Sequence, residues 1–591
     1  MKKQTGENQW KKILPEFLAV LLCLLLMGIG ISQKEGYHMD ELLSFELADA
    51  RYNPWIVPTQ PVGRLAKFVD EEIQGTTLSA TVGNLKDTIM DVLKNRGSSK
   101  LLSYKADVYE EPVWITDKQF RDYVTVDGSD AFDYLSVYFN VKDDNHPPVH
   151  FMLLHTMSSI FQKTLSPLLG CVINLISLGI TLWLLLRLGR QLTDVFLPGM
   201  DGRWLGMTAV LLYGMSTGAL ATVLLIRMYG LLSCLCVALL SIHVEKWKNQ
   251  EFDRKNKGLT AVTVLGFLTQ YFFLFYCLLL AAVTAAVLMQ SRRKKELWIY
   301  IRSMVTAAVI GLSLFPFAIA DVFSSSRGTE ALGNLASGFR GYGERILTFG
   351  KILAERTVGI PLLVGGCIAG VVLLVVWLVR VIRRCRVQGE RVPAAEASRI
   401  SVGAIVAILT IPVAGYFLLA SRMSPYLVDR YIMPIFPFVS LLLALLLCWF
   451  GRKISEISGW KTRNAALCML AVILLVQGMR LIHYDGEYLY KGYRQQEQLA
   501  EAYASDPCIC VYVGVGYYEN LPEFMHYSKT LLLTEQELEN REDTESLEAL
   551  DHVVVMIKPG VEEATALNTL QEKYGFFLEE TLMSSGVHGD S

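Results

Sequence analysis

Apolar runs long enough to cross a bilayer recur along most of this sequence, and they constrain its fold more than any other feature. The first occupies about 14–31. Others follow near 166–186, 204–226, 228–244, 258–270, 272–289, 298–320, 358–380, 402–420, 430–450 and 464–482. A spanning helix needs about 20 mainly apolar residues, because each residue rises about 1.5 Å and an unpaired amide finds no water inside the bilayer. The pattern predicts about eleven transmembrane helices. The stretch 258–289 is too long for one crossing and is divided at Gln270–Tyr271. Composition agrees, since 52% of the residues are hydrophobic and only 19% are charged. That balance excludes a disordered chain, a disulfide scaffold and a purely soluble enzyme.

Charge is segregated along the chain. Residues 33–146 hold 12 Lys and Arg against 20 Asp and Glu, and residues 483–591 hold 6 against 21. The remainder therefore carries a large positive excess within a chain of net charge −2. Basic residues collect in short cytoplasmic loops of membrane proteins. Arg187/Arg190/Arg203, Lys246/Lys248/Arg254/Lys255/Lys257, Arg292/Arg293/Lys294/Lys295, Arg380/Arg383/Arg384/Arg386 and Arg452/Lys453/Lys461/Arg463 all fall on one side of the alternation. The acidic loop and the acidic tail fall on the other. With Lys2, Lys3, Lys11 and Lys12 ahead of the first run, the N-terminus is expected to be an uncleaved cytoplasmic signal-anchor and the C-terminus to lie outside. The expected location is the plasma or inner membrane.

The expected fold is an all-α polytopic membrane domain over 1–482, with a large external loop at 33–146, followed by a small extracytoplasmic α/β domain over 483–591. The loop contains amphipathic pieces around 85–93 and 132–139, and the second carries aromatic residues suited to the lipid–water interface. In the tail, 508–515, 530–534 and 552–557 read as strands, and 521–527, 547–550 and 564–574 as helices. That alternation predicts a partly parallel sheet. Gly514–Val515–Gly516 is too short to mark a nucleotide site. Eleven cysteines are present but none lies in 33–146, and Cys508 and Cys510 are too close along one strand to bridge each other.

Polar candidates lie at the external ends of the predicted helices. In His38–Met39–Asp40–Glu41, Asp40 reads either as a general base or as an N-cap or first-turn acid for a helix at 41–50. In Asp143–Asp144–Asn145–His146–Pro147–Pro148–Val149–His150, the prolines start a helix and hold Asp144 and His146 in an extended approach. These residues read as site groups or as solvated acids beside a capped helix. His and Asp are metal-ligand types, but no recognised ligand spacing is present, so no metal or cofactor is assigned. Arg227–Met228–Tyr229 and Asp429–Arg430–Tyr431 offer guanidinium groups for a phosphate or for lipid headgroups. The loop 321–357, with Arg327 and with Arg340 among glycines, reads as an anion-closing lid or as a flexible connector.

This ordered set resembles the GT-C class of integral-membrane glycosyltransferases, in the branch of protein O-mannosyltransferases and the lipid A aminoarabinose transferase. The resemblance covers roughly 13–450. It is carried by Asp40–Glu41, His146–Pro147–Pro148 with Leu153–Leu154–His155, Arg227–Met228–Tyr229, Thr269–Gln270–Tyr271–Phe272–Phe273, and Arg430–Tyr431 with Pro434 and Pro437. Gln270 stands where relatives often have His, and the tail matches no relative closely.

The resemblance implies a sugar donor on polyprenyl phosphate and an acceptor glycan, lipid or protein on the outer face. Membrane lipids are the other expected partners, and nucleic acid is not among them. It implies Asp40 as the base, with Glu41 and Asp144 as further catalytic carboxylates. His146, Arg227, Tyr229, Tyr271, Arg327, Arg340, Arg430 and Tyr431 are the implied substrate-binding groups. Rival readings are a lipid-carrier glycan polymerase or ligase, a secondary transporter and a non-catalytic surface scaffold.

Overall fold

The computed structural model describes residues 2–95, 98–106, 108–252, 256–336, 338, 340–359, 402–458 and 462–583. The expected span at 358–380, the basic cluster Arg380–Arg386, and Arg254, Lys255 and Lys461 lie almost entirely outside the described residues. The chain divides into two compact units. One comprises Met1–Gln33, Asp144–His150 and Cys171–Glu487, and the other Lys34–Asp143, Phe151–Gly170 and Tyr488–Ser591.

The first unit is a polytopic helical body. Among the described residues seven helices are long and apolar enough to cross a membrane: Ile13–Ser32, Pro167–Phe196, Tyr229–Asn249, Phe273–Gln290, Lys294–Leu314, Val402–Met423 and Met433–Lys453. The run at 204–226 is not one straight helix. It forms Gly202–Gly214 and Thr217–Leu224, bent by 59°. A Cβ on Gly214 would meet the Cys23 sulfur at 2.6 Å, so the glycine permits close packing just before the bend. Ser216 Oγ then donates to Tyr213 O at 2.7 Å and accepts from Ala219 N at 3.0 Å, ending one helix and capping the next. Gln477 Nε2 donates to Leu212 O at 3.3 Å and to Thr357 O at 2.6 Å, satisfying carbonyls beside the break. The run at 258–270 forms the shorter helix Lys257–Phe267, and that at 464–482 forms Thr462–Ile482.

Side-chain ion pairs and hydrogen bonds tie the helices together at both ends of this body. At one end Arg187 pairs with Glu245 at 2.7 Å, Lys248 with Asp194 at 2.5 Å, and Arg452 donates to Pro198 O at 3.1 Å. At the other, Tyr271 donates to Asp321 at 2.6 Å and Arg356 pairs with Asp429 at 2.6 Å. The loop 321–357 is neither a glycine-rich coil nor an open connector. It is mostly helical, as Ala318–Phe323, Ser326–Ala336 and Tyr342–Thr357.

The second unit is built on a four-stranded sheet of β1 (Ile115–Thr116), β2 (Cys508–Tyr512), β3 (Lys529–Thr534) and β4 (Val554–Ile557), in the order β1–β3–β2–β4. The three tail strands are parallel, with Cys508 opposite both Thr530 and Val554. The two-residue β1 runs antiparallel and comes from the loop, covering the β3 edge. Ile509, Val511, Leu531 and Leu533 alternate onto one face, where Leu538, Leu547 and Leu570 bury them. Cys508 and Cys510 take the opposite face as free, buried thiols. Sequence alone set 483–591 apart, whereas this compact unit holds the loop and the tail together.

The helix Leu78–Asn95 contains the amphipathic piece at 85–93, with Ile89, Met90 and Leu93 exposed. The second aromatic piece becomes the helix Tyr134–Asn140.

Candidate functional site

The helix Met39–Asp49 begins with a capping box, but its cap is His38 and not Asp40. The Asp40 amide donates to His38 Nδ1 at 3.0 Å, and the His38 amide donates to Glu41 Oε2 at 2.8 Å. Glu41 is fully buried and bound by Lys34 Nζ at 3.2 and 3.0 Å, and the same ammonium donates to Tyr488 O at 2.9 Å. Glu41, expected as a second catalytic carboxylate, is thus taken up by the cap and a buried ion pair. Asp40 keeps a partly exposed carboxylate (24%) 3.6 Å from His38 Nδ1.

Further along this helix two more acids are buried. Asp49 Oδ1 lies 3.4 Å from His155 Nδ1, and burial raises its carboxyl despite that contact. Burial raises the Glu46 carboxyl well above its ordinary value, near the phenols of Tyr123, Tyr517 and Tyr518.

In the first unit, Asp144, His146 and Arg227 form a chain. His146 Nδ1 lies 2.8 Å from Asp144 Oδ2, and Arg227 Nη2 lies 3.4 Å from His146 Nε2. A guanidinium can only donate, so Nε2 accepts and the imidazole proton points from Nδ1 to Asp144. Burial opposes ionisation of Asp144, but His146 and Arg227 hold its carboxyl below the ordinary range. His150, one turn beyond the prolines and fully buried, is pushed down to about 3 by burial and by the neighbouring Arg227 and His146.

Local structure aims these groups. Pro147 and Pro148 precede the helix Val149–Ile160, and the Val149 amide donates to Leu268 O at 3.1 Å. Arg227 sits, 7% exposed, on the tight turn between Thr217–Leu224 and Tyr229–Asn249. Asn174 Nδ2 ties that turn down by donating to Leu225 O at 2.6 Å.

The turn after Leu268 extends the network. Tyr271 donates to Asp321, and burial followed by that bond pushes its phenol up, with Asp144 adding a smaller effect. Gln270 Oε1 accepts from the Tyr271 amide at 2.6 Å, so this residue serves the turn itself. Phe272 packs on Tyr431 at 5.5 Å between centroids, and the Arg430 guanidinium lies 5.6 Å from the Tyr431 ring. Tyr416 OH donates to Tyr431 O at 3.0 Å, and Arg356 holds the buried Asp429.

The structure therefore joins Asp144, His146, Arg227 and Tyr271, and reaches Tyr431 and Arg430 through Phe272. It does not use all the expected residues in this way. Tyr229 is 4% exposed within its helix. Arg327 is paired with Glu330 at 3.1 Å and donates to the Tyr426 hydroxyl at 3.2 Å. Arg340 is exposed in the turn before Tyr342–Thr357. Asp321 and Arg356 carry no motif in the sequence, whereas His150 closes the motif that begins at Asp143. The only signal for the first two was a charged residue at the margin of an apolar run. Among the described residues no group of three or more His, Cys, Asp or Glu is placed to hold a metal ion.

No family model matches the sequence, and no curated protein matches it. Among solved structures the chain is similar to ArnT from Cupriavidus metallidurans in two states. The structure bound to undecaprenyl phosphate has 12% identity, covers 94% of this chain and 91% of that one, and has a TM-score of 0.42. The apo structure has 12% identity, covers 66% and 75%, and has a TM-score of 0.32.

Proposed function

We propose that this chain is an integral-membrane glycosyltransferase that moves a sugar from a polyprenyl-phosphate carrier to an extracytoplasmic acceptor. One observation carries the reading: the Asp144–His146–Arg227 chain at the end of an apolar helical body, beside the Tyr271–Asp321 pair. A guanidinium held there is suited to the phosphate of a carrier whose isoprenoid tail lies among apolar helices. The basic ends of the helices face the cytoplasm in this reading, and the Arg227 end faces outward, where nucleotide sugars are not normally supplied.

Asp40 takes the acceptor's proton as its oxygen or nitrogen attacks the anomeric carbon. The bond from that carbon to the phosphate oxygen breaks, and the departing phosphate is stabilised by Arg227 and Arg430. A single in-line displacement inverts the anomeric centre. Asp144 orients His146, and through it Arg227. Glu41 is a structural partner of Lys34 in this scheme, and the base role of Asp40 is the one the sequence resemblance implies.

Secondary transport has one observation in its favour, the bent pair Gly202–Gly214 and Thr217–Leu224. The break is closed by Ser216 and Gln477, which satisfy carbonyls that a coupled ion would otherwise use.

The test is Asp40→Asn in the purified full chain, assayed with polyprenyl-phosphate sugars. Transfer should fall roughly 10²–10⁴-fold with donor binding retained, as expected for loss of a positioned base. Turnover within a few-fold of wild type would remove Asp40 from that role. Absence of saturable, head-group-specific donor binding would remove the enzyme class.

A further inference from the structure

At the end of the helical body away from Arg227, a groove of about 700 Å³ opens between the helices Lys257–Phe267 and Lys294–Leu314. It is apolar along Leu265 and Ile310 and carries Lys257 and Arg302 at its basic end. Asn256 Nδ2 donates to Ser303 Oγ at 2.8 Å, which ties the two walls together.

Arg302 stands in a demanding position. Its helix is one of the spans, and Trp298, one turn before it, is 71% exposed. Exposed tryptophans mark the headgroup level, so Arg302 is rooted one turn deeper, toward the acyl chains. Among the described residues neither Arg302 nor Lys257 has a carboxylate partner. An Arg rooted below the interface reaches back to headgroup depth, where its guanidinium is stabilised by an anion. Helical side chains lean toward the helix N-terminus, which takes the Arg302 side chain toward the end of the groove that Lys257 also lines. Two cations above an apolar trough complement an amphiphile with an anionic head, and basic pockets between spanning helices bind such headgroups.

We propose that this groove binds an anionic glycerophospholipid, with its phosphate on Lys257 and Arg302 and its acyl chains along Leu265 and Ile310. Lys257 lies at the opposite end of the helix Lys257–Phe267 from the turn that bears Tyr271, and the proposal does not depend on the glycosyltransferase reading.

The experiment uses the full chain in nanodiscs of phosphatidylcholine, alone or doped with phosphatidylglycerol, with bound lipid read by native mass spectrometry. Wild type should retain phosphatidylglycerol at least about tenfold over phosphatidylcholine, and Lys257→Gln with Arg302→Gln should abolish that preference. Lys257→Arg with Arg302→Lys should keep it, as should the nearby control Lys294→Gln with Lys295→Gln. In wild type, hydrogen exchange at 257–265 and 302–310 should slow when phosphatidylglycerol is present, a readout that needs no variant. Equal retention of both lipids by wild type would overturn the proposal. So would an unchanged preference in the glutamine variant, equal loss in the control, or displacement of the phospholipid by polyprenyl phosphate.

Discussion

Replacing Lys34 by Met tests whether the start of the helix that carries Asp40 is held by a buried ion pair. In the native protein the Lys34 ammonium donates to both Glu41 oxygens and to Tyr488 O, and neither charged side chain is exposed. Met fills similar volume but removes the ammonium that binds both oxygens of the buried Glu41 carboxylate, which keeps the His38 amide among its donors. Removing one partner of a buried pair costs roughly 3–5 kcal/mol, because the other charge is left uncompensated. At about 1.4 kcal/mol per factor of ten, local opening of residues 39–49 should become at least about 100-fold more frequent. Amide hydrogen exchange of the detergent-solubilised full chain reads this directly. Glu41→Gln on the Met background removes the stranded charge, so the double variant should recover part of the protection. Its cost should fall short of the two single costs added together by roughly 2 kcal/mol or more. Exchange accelerated less than tenfold in Lys34→Met, or strict additivity in the double variant, would refute the reasoning.

Two further outcomes follow from the same geometry. Arg227→Lys keeps the charge but loses the planar fork that reaches His146, so kcat/KM for a polyprenyl-phosphate sugar should drop on the order of 10²-fold, and a change under about threefold would remove Arg227 from phosphate stabilisation. Burial raises the Glu523 carboxyl from its ordinary value of 4.5 to about 7, so its contribution to stability is fully present below pH 4.5 and is lost as pH rises through about 7. Glu523→Gln should therefore flatten that decline and stabilise the protein above pH 7 by on the order of 3 kcal/mol, read as the pH profile of the thermal midpoint.

Much of the membrane body was legible because spanning requires a continuous apolar stretch, which is written in consecutive residues. The tail strands were legible for a similar reason. Cys508–Tyr512 and Lys529–Thr534 are short apolar runs bounded by turn residues. The bend after Gly214 was not, since it depends on packing against Cys23 and on a side chain 265 positions away, Gln477. The two-residue β1 was equally invisible, because pairing with Thr530 and Lys529 makes it a strand and no local pattern does. At the helix start, local preference favours Asp over His as a cap. His38 takes that place while Glu41 accepts from Lys34, whose ammonium also donates to Tyr488 O.

Sequence by itself marked the apolar runs and the charged residues at their ends, because hydrophobic length and charge are additive along a chain, and seven of the helices among the described residues are long and apolar enough to span. Only the tertiary structure decided which of those polar residues meet. It linked Asp144 through His146 to Arg227, assigned Glu41 to Lys34, and brought Asp321 and Arg356 into contact with Tyr271 and Asp429. Hydrogen bonds act over about 3 Å and within narrow angles. Their partners are therefore set by packing among residues far apart in sequence.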